Sequence, residues 1–194
     1  GSAYIFVKDR SLNSVAEVKA KKFAVLHYDR AQKQMVERIG AKPVMSDISN
    51  FVRKFNSGEV DIVAAPAYAF KPLEIHKGLG SQGGMIDFPV VNVTADLVLR
   101  QSKFPEGYAA QSRAWFVRQL PKSFAMVKRL EAEIPAKYKV ALSKEDQAAY
   151  QQLLREGRMD LTAQGVYDAA MMTVLKKARC TVERTNFECS LGGE

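Results

Sequence analysis

Between Lys21 and Tyr68 short apolar runs alternate with helical repeats, and this alternation constrains the fold more than any other feature of the chain. KKFAVLHYDR carries an apolar run, Phe23 to Leu26, that ends in polar residues. RAQKQMVERIG then spaces Met35, Val36 and Ile39 along one helix face, and Gly40 stops the helix. AKPVM reads as a second strand. DISNFVRKFNSG reads as a second helix with Ile48, Phe51, Val52 and Phe55 on one face, Ser46 or Asp47 as its cap and Gly58 as its left-handed end. DIVAAP is a third strand, and Pro66 suits the first turn of a following helix. Strands separated by helices of this length pair in parallel through right-handed crossovers. The working residues then gather where strands hand over to helices: Tyr28-Asp29-Arg30, Ser46-Asp47 and Ala65-Pro66-Ala67-Tyr68.

Around this unit, Tyr4 to Val7 is a short strand, and Asn13 or Ser14 caps a short helix from Val15 to Lys19. Leu73 and Ile75 suggest one or two helical turns. Gly78, Gly80, Gly83 and Gly84 mark the most flexible connection, and they precede a strand instead of joining strand to helix, which argues against a phosphate loop. Met85 to Arg100 alternates loosely. A single strand of about 15 residues spans about 50 Å, so either a break near Pro89 gives two strands or one ribbon passes between two lobes. Tyr108 to Leu120 is helical, and Pro121 restarts a helix through Phe124, Met126, Val127 and Leu130. Ser143 with Asp146 resembles a capping box that opens a helix through Tyr150, Leu153 and Leu154. Gly165 to Ala178 is a last amphipathic helix with Val166, Ala169, Ala170, Val174 and Ala178 inward, and Cys180 to Glu194 is irregular.

A chain of 194 residues allows one or two domains, and 47% hydrophobic with 26% charged residues suits a folded protein. Gly1-Ser2 resembles a cloning remnant and Ala3 opens inside a strand, so the chain reads as an excised piece of a longer protein. The formal charge of +8 raises nucleic acid, a membrane surface or an anionic ligand as partners. The basic residues are scattered beside acids, however, and only Lys19, Lys21 and Lys22 cluster. With no RNA-binding aromatic signature and no zinc-finger spacing, a solvated basic surface is expected and no nucleic acid. Eight residues lie between Cys180 and Cys189, which suits a disulfide-closed loop worth about 3 kcal/mol on the loop-entropy account. Such a bridge implies an oxidising compartment; two reduced thiols or two ligands of a metal site are the alternatives.

Catalytic patterns are missing: the chain contains no G-x-S-x-G, no H-E-x-x-H and no Walker loop. His27 with Asp29 could act as a base, but no nucleophile is specified, and a structural or cleft-lining histidine is expected. No enzyme, cofactor or metal site follows from these residues. Binding has better support. Helices starting after Asp29 and Pro66 aim backbone N–H groups at the strand-end crevice. Tyr28 and Tyr68 can wall it, and Arg30 supplies a charge with bidentate geometry. The plain alternatives are an N-cap for Asp29, a solvated charge for Arg30 and core positions for both tyrosines.

The run Ile39-Gly40-Ala41-Lys42-Pro43-Val44 followed by Gly58-Glu59-Val60-Asp61 resembles the second lobe of extracytoplasmic solute-binding proteins of the TRAP-transporter type. More narrowly, Tyr4 to Ser11, Lys54-Phe55-Asn56 with Gly58, and Ala65-Pro66-Ala67-Tyr68 resemble a Gram-negative solute-binding family with AdeT-type members, some associated with multidrug efflux. Arg179-Cys180 and Glu188-Cys189 match that family's ending. The resemblance implies an α/β fold: a periplasmic-binding-protein type II-like lobe with a parallel or mixed sheet flanked by helices, plus a crossover strand and C-terminal helices. Residues 1–100 form the lobe with the crossover strand at 85–100, and residues 101–194 form a helical region with a disulfide-closed tail.

The function implied is hinge closure around a small polar solute in the periplasm, with delivery to a membrane transporter. The expected ligand-binding residues are Tyr28, Asp29, Arg30, Pro66, Ala67, Tyr68, Asn92 and Thr94. The alternative is a periplasmic accessory protein of a multidrug efflux assembly. Most of a first lobe is absent, and a second copy of the chain could cover the surface it leaves. The arginine that such receptors place on a strand of this lobe falls on Ala24, and their following acidic or amide residue falls on Ala64, Ala65 or Pro66, which puts simple carboxylate recognition in doubt.

Overall fold

The computed structural model describes residues 1–193. In chain order the elements are β1 (Ser2–Val7), β2 (Lys22–Leu26), α1 (Arg30–Arg38), β3 (Lys42–Ser46), α2 (Phe51–Ser57), β4 (Ile62–Pro66), α3 (Ile75–Leu79), β5 (Gly84–Ile86), β6 (Val91–Asn92), α4 (Tyr108–Ala132), β7 (Lys139–Val140), α5 (Lys144–Ala163) and α6 (Ala169–Val182). The strands form one mixed sheet in the order β3-β2-β4-β1-β5-β7, with β6 also on β1. As the alternation predicts, β2 pairs in parallel with both β3 and β4. β1 alone runs the other way, antiparallel to β4, β5 and β6.

Helices cover both faces of the sheet, which is why its strands are near-continuous apolar runs. Residues alternate between two cores. Phe6, Ala24, Val63, Ala65 and Met85 pack with Phe51, Val52 and Phe55 of α2, Ile75 and Leu79 of α3, and Ile134. Ile5, Val7, Phe23, Val25, Ile62 and Ile86 pack with Val36 of α1 and Tyr150 of α5. Gly58 ends α2 at φ +80°, a conformation that costs a side chain strain. Ser143 caps α5 by accepting from the Asp146 N–H at 3.0 Å, and its hydroxyl donates to the Asp146 carboxylate at 2.6 Å.

Several local expectations are corrected. α2 starts at Phe51, because the Asp47 N–H donates to Asn50 Oδ1 at 2.9 Å and the intervening residues form a turn. Ser46 therefore belongs to β3, neither it nor Asp47 caps the helix, and Ile48 is 64% exposed instead of packed. Residues 15–19 form turns and no helix: the Ser14 hydroxyl accepts from Glu17 N–H, but a segment this short cannot offset helix nucleation. The helix expected after Pro66 is one 3-10 turn, Ala67–Ala69. Two of the supposedly flexible glycines are packing sites. A Cβ at Gly78 would strike the Phe55 ring, and one at Gly83 would lie 2.5 Å from the Leu79 carbonyl and 2.6 Å from that of Val7.

Of the two alternatives for 85–100, the break near Pro89 is the one found, and the segment forms two short strands. β5 and β6 follow the same edge of β1, facing Phe6–Val7 and Ser2–Ala3 respectively. Between them Asp87 N–H donates to Val140 O and Phe88 N–H to Ile86 O, and Pro89 has no donor to continue the ladder. Residues 93–100 carry no regular structure. The C-terminal region is not purely helical, since β7 joins the sheet beside β5. Pro121 does not divide its helix; α4 runs through it for 25 residues. α6 starts at Ala169 and extends to Val182, followed by a 3-10 turn at Phe187–Ser190 where irregular chain was expected. Its expected inward face is wrong as well. Val174 is 58% exposed and Ala169, Ala170 and Ala178 are exposed, while Met172 is buried. The apolar spacing identified a face, but no element among the described residues buries it. Cys180 and Cys189 form a disulfide.

Candidate functional site

Because β2, β3 and β4 are parallel, their C-terminal ends lie at one edge of the sheet. β1 brings its N-terminal end there too. Ala3 pairs with Pro66 on one side and Val91 on the other, and Ser2 lies opposite Asn92, whose Oδ1 accepts from the Ser2 hydroxyl at 3.1 Å. Tyr28, Asp29 and Arg30, together with Pro66, Ala67 and Tyr68, thus share one end of the sheet with Asn92. Thr94 follows in the exposed irregular segment, two residues further on.

These residues are not equally available. Tyr28 is 62% exposed and packs edge-on against His27. Tyr68 is half-buried against the core, with its ring close to Gly1 and to Val127 of α4. Ala67 puts its methyl group in the core. Asp29 caps α1 by accepting from Gln32 N–H at 2.8 Å, while Gln32 Oε1 accepts from Leu26 N–H at 2.9 Å and ties the helix start to the strand end. The Asp29 carboxylate therefore occupies the end of α1 that was expected to offer free N–H groups to a ligand. Arg30 is exposed at the first turn of α1. The 3-10 turn after Pro66 is too short to build a helix dipole.

Further residues reach this edge through tertiary structure. His27 Nδ1 lies 2.8 Å from Asp47 Oδ1, bridging the ends of β2 and β3. α1 and α5 pack antiparallel: Gln34 bonds Gln164, and Arg38 bonds Glu156 at 2.9 Å and also Asp160. The turn between α5 and α6 consequently lies beside the start of α1. Its Tyr167 phenol is pushed up first by burial and then by the Asp29 carboxylate. No sequence spacing points to Tyr167, since its position depends on how two distant helices pack. Ala24, where a strand arginine was sought, is buried in the core. Among the described residues no group of three or more His, Cys, Asp or Glu could hold a metal ion. The recesses along the helices are separate: one of about 400 Å³ lies between α1 and α5 around Arg38 and Gly157, and one of about 560 Å³ lies on α4 around Trp115 and Leu97.

A mixed sheet with helices on both faces, whose parallel strands end at an open polar and aromatic edge, is an α/β architecture of the class that leaves a crevice outside its strand ends. The family Solute-binding protein AdeT 1/2 matches residues 1–194, and the chain belongs to it. "Probable solute-binding protein AdeT1" of Acinetobacter baumannii is 43% identical over 194 residues, covering all of this chain and 64% of the relative. "Probable solute-binding protein AdeT2" of the same organism is 27% identical over 191 residues, 98% of this chain and 80% of the relative. Among solved structures, a TRAP periplasmic solute binding protein from Desulfovibrio salexigens with bound orotic acid aligns at TM-score 0.63 and 13% identity, over 91% of this chain and 59% of that one. The ectoine-binding protein of Halomonas elongata aligns at TM-score 0.67 and 11% identity, over 84% and 56%. A galacturonate complex from Bradyrhizobium aligns at TM-score 0.68 and 14% identity, over 91% and 59%. These likenesses show the fold. The chain spans 64% of the AdeT1 relative's length and 59% of the orotic acid protein's.

Proposed function

We propose that this chain is the second lobe of a periplasmic solute receptor that closes on a small polar solute and delivers it to a membrane transporter, without catalysis. The observation that carries this reading is the common edge of β2, β3 and β4, where Tyr28, His27 and Asp47 stand exposed beside Pro66 and Tyr68. Residues 1–100 supply the recognition lobe, and the region from residue 101 onward packs against it through β7 and α5. Tyr28 and Tyr68 offer rings and hydroxyls, Arg30 a charge at the rim, and Asn92 and Thr94 polar groups on the far side of β1. Closure requires a second wall with better contacts in the closed state. That wall suits the exposed apolar surface of α4, where Trp115 is 50% and Phe124 65% exposed, and of Leu97 and Val98 before it. The ligands of structural neighbours, orotic acid, ectoine and galacturonate, are small and polar, which supports this reading. With alanine at position 24, the solute is not one held by a strand arginine.

The test is a thermal shift of the longer protein against a panel of solutes. A bound solute at 100 times its Kd stabilises by about 2.7 kcal/mol, and no shift with any solute would defeat the receptor reading. A second reading, a periplasmic accessory of an efflux assembly, draws on the uncovered stripe Met171, Val174, Leu175 and Val182 of α6, which fits a protein partner. Pull-down of an efflux subunit without any solute response would favour it, and sedimentation of the longer protein would reveal a second copy on the same surfaces.

A further inference from the structure

The residues after α6 fold back as a strap whose grip is polar. Glu188 is 5% exposed, and its carboxylate lies 2.7 Å from Arg158 of α5 and 3.3 Å from Arg179 of α6. Arg155 of α5 donates to the Gly192 carbonyl and Lys176 of α6 to that of Leu191. The strap's large apolar side chains contribute little, for Phe187 stays 40% and Leu191 41% exposed. Neither hydrophobic core contains a residue beyond Tyr150. The one covalent tie, Cys180–Cys189, sits next to Glu188 in the same 3-10 turn.

A buried carboxylate between two guanidinium groups is a poor anchor by itself. Its attraction is offset by the desolvation of all three charges, so an untethered strap regains hydration and chain freedom by opening. Held beside α6 by the disulfide, Glu188 loses little further freedom on entering the pair. We propose that Cys180–Cys189 is a redox-releasable clasp: its reduction frees residues 187–193 from α5 and α6 while the sheet and its two cores stay folded. The step balances with a dithiol as reductant. The disulfide takes up two electrons and two protons to give two thiols, and the dithiol closes to its own disulfide. Both cysteines are partly exposed, so a small dithiol can reach the bond. The clasp does not depend on whether the strand edge binds a solute.

The experiment is amide hydrogen exchange of the folded chain with and without dithiothreitol, with thiol labelling to confirm reduction. Expected is exchange about tenfold or more faster across 187–193, with protection in β1–β5 unchanged. The double variant Cys180→Ser/Cys189→Ser should reproduce this without reductant. Glu188→Gln with the bridge intact should loosen the strap less than reduction does. The proposal is overturned if the strap keeps its protection after reduction, if the sheet loses protection with it, or if Glu188→Gln alone opens the strap as fully.

Discussion

The backbone N–H of His27 donates to the Ser46 carbonyl over 3.0 Å, one step beyond the rung where Leu26 faces Ser46. β2 and β3 therefore end level, and the residues that follow them, Tyr28 and Asp47, arrive at the same edge of the sheet. The side chains at that edge are held from behind: Gln32 Oε1 accepts from the Leu26 N–H, and Phe23, Val25 and Ala65 below it are buried.

Tyr28 stands free enough to be tested cleanly. On the proposed receptor reading, Tyr28→Ala should weaken solute binding about tenfold or more, or about 1.4 kcal/mol, while unfolding stability changes by no more than about 0.5 kcal/mol. Calorimetric titration and chemical denaturation of the same preparation check both halves.

Two glycines should differ sharply on conversion to alanine. At Gly83 the added methyl meets backbone carbonyls of Val7 and Leu79, which cannot move without distorting β1 and α3. At Gly157 it meets the far end of the Met35 side chain, which can swing aside. Gly83→Ala should cost about 2–4 kcal/mol and Gly157→Ala about 1 kcal/mol or less, as read from urea midpoints.

Tyr150 is buried, and its hydroxyl has no hydrogen-bond partner among the described residues. Burial, assisted by Asp146, pushes its phenol up to about 12 from an ordinary 10.0. The folded state thus holds this proton more tightly than the unfolded chain does. The resulting stability is complete below pH 10.0 and is lost as pH rises toward about 12. Tyr150→Phe removes the orphaned hydroxyl, so it should be neutral to about 1 kcal/mol stabilising at neutral pH. It should also blunt the alkaline loss of stability, measured by denaturation across pH 9–12.

Acid should loosen α5 from α1. The Arg38 guanidinium, followed by the Gln152 side chain, holds the Glu156 carboxyl below its ordinary 4.5. Its contribution is present above pH 4.5 and lost as pH falls through the depressed folded value. Arg38→Ala should remove that part of the acid dependence, visible as a flatter stability profile below pH 4.5.

The alternation of strand and helix, the cap at Ser143 and the left-handed turn at Gly58 were legible because each is set by neighbours a few residues away. The tail disulfide belongs with them, since Cys180 and Cys189 share a short loop. Less legible were features that depend on distant partners. Gly78 and Gly83 look like hinges in a string but are sites of close packing, because Phe55 and the Val7 carbonyl arrive from elsewhere. Pro121 looks like a break, yet α4 continues through it. The spacing of Val174 and Ala178 promised a buried face that no element among the described residues covers.

The sequence by itself determined the parallel β2–β3–β4 unit and its polar ends at Tyr28 and Pro66, because hydrophobic period and turn chemistry are local properties. Only the tertiary structure decided that β1 reverses direction to bring Asn92 to that edge, that antiparallel packing of α1 on α5 sets Tyr167 beside Asp29, and that Glu188 is buried between Arg158 and Arg179. Apart from Arg179, which lies near Glu188 in the chain, those relations join residues from 30 to 138 positions apart, and no local preference encodes a contact whose free energy exists only once the intervening chain has folded.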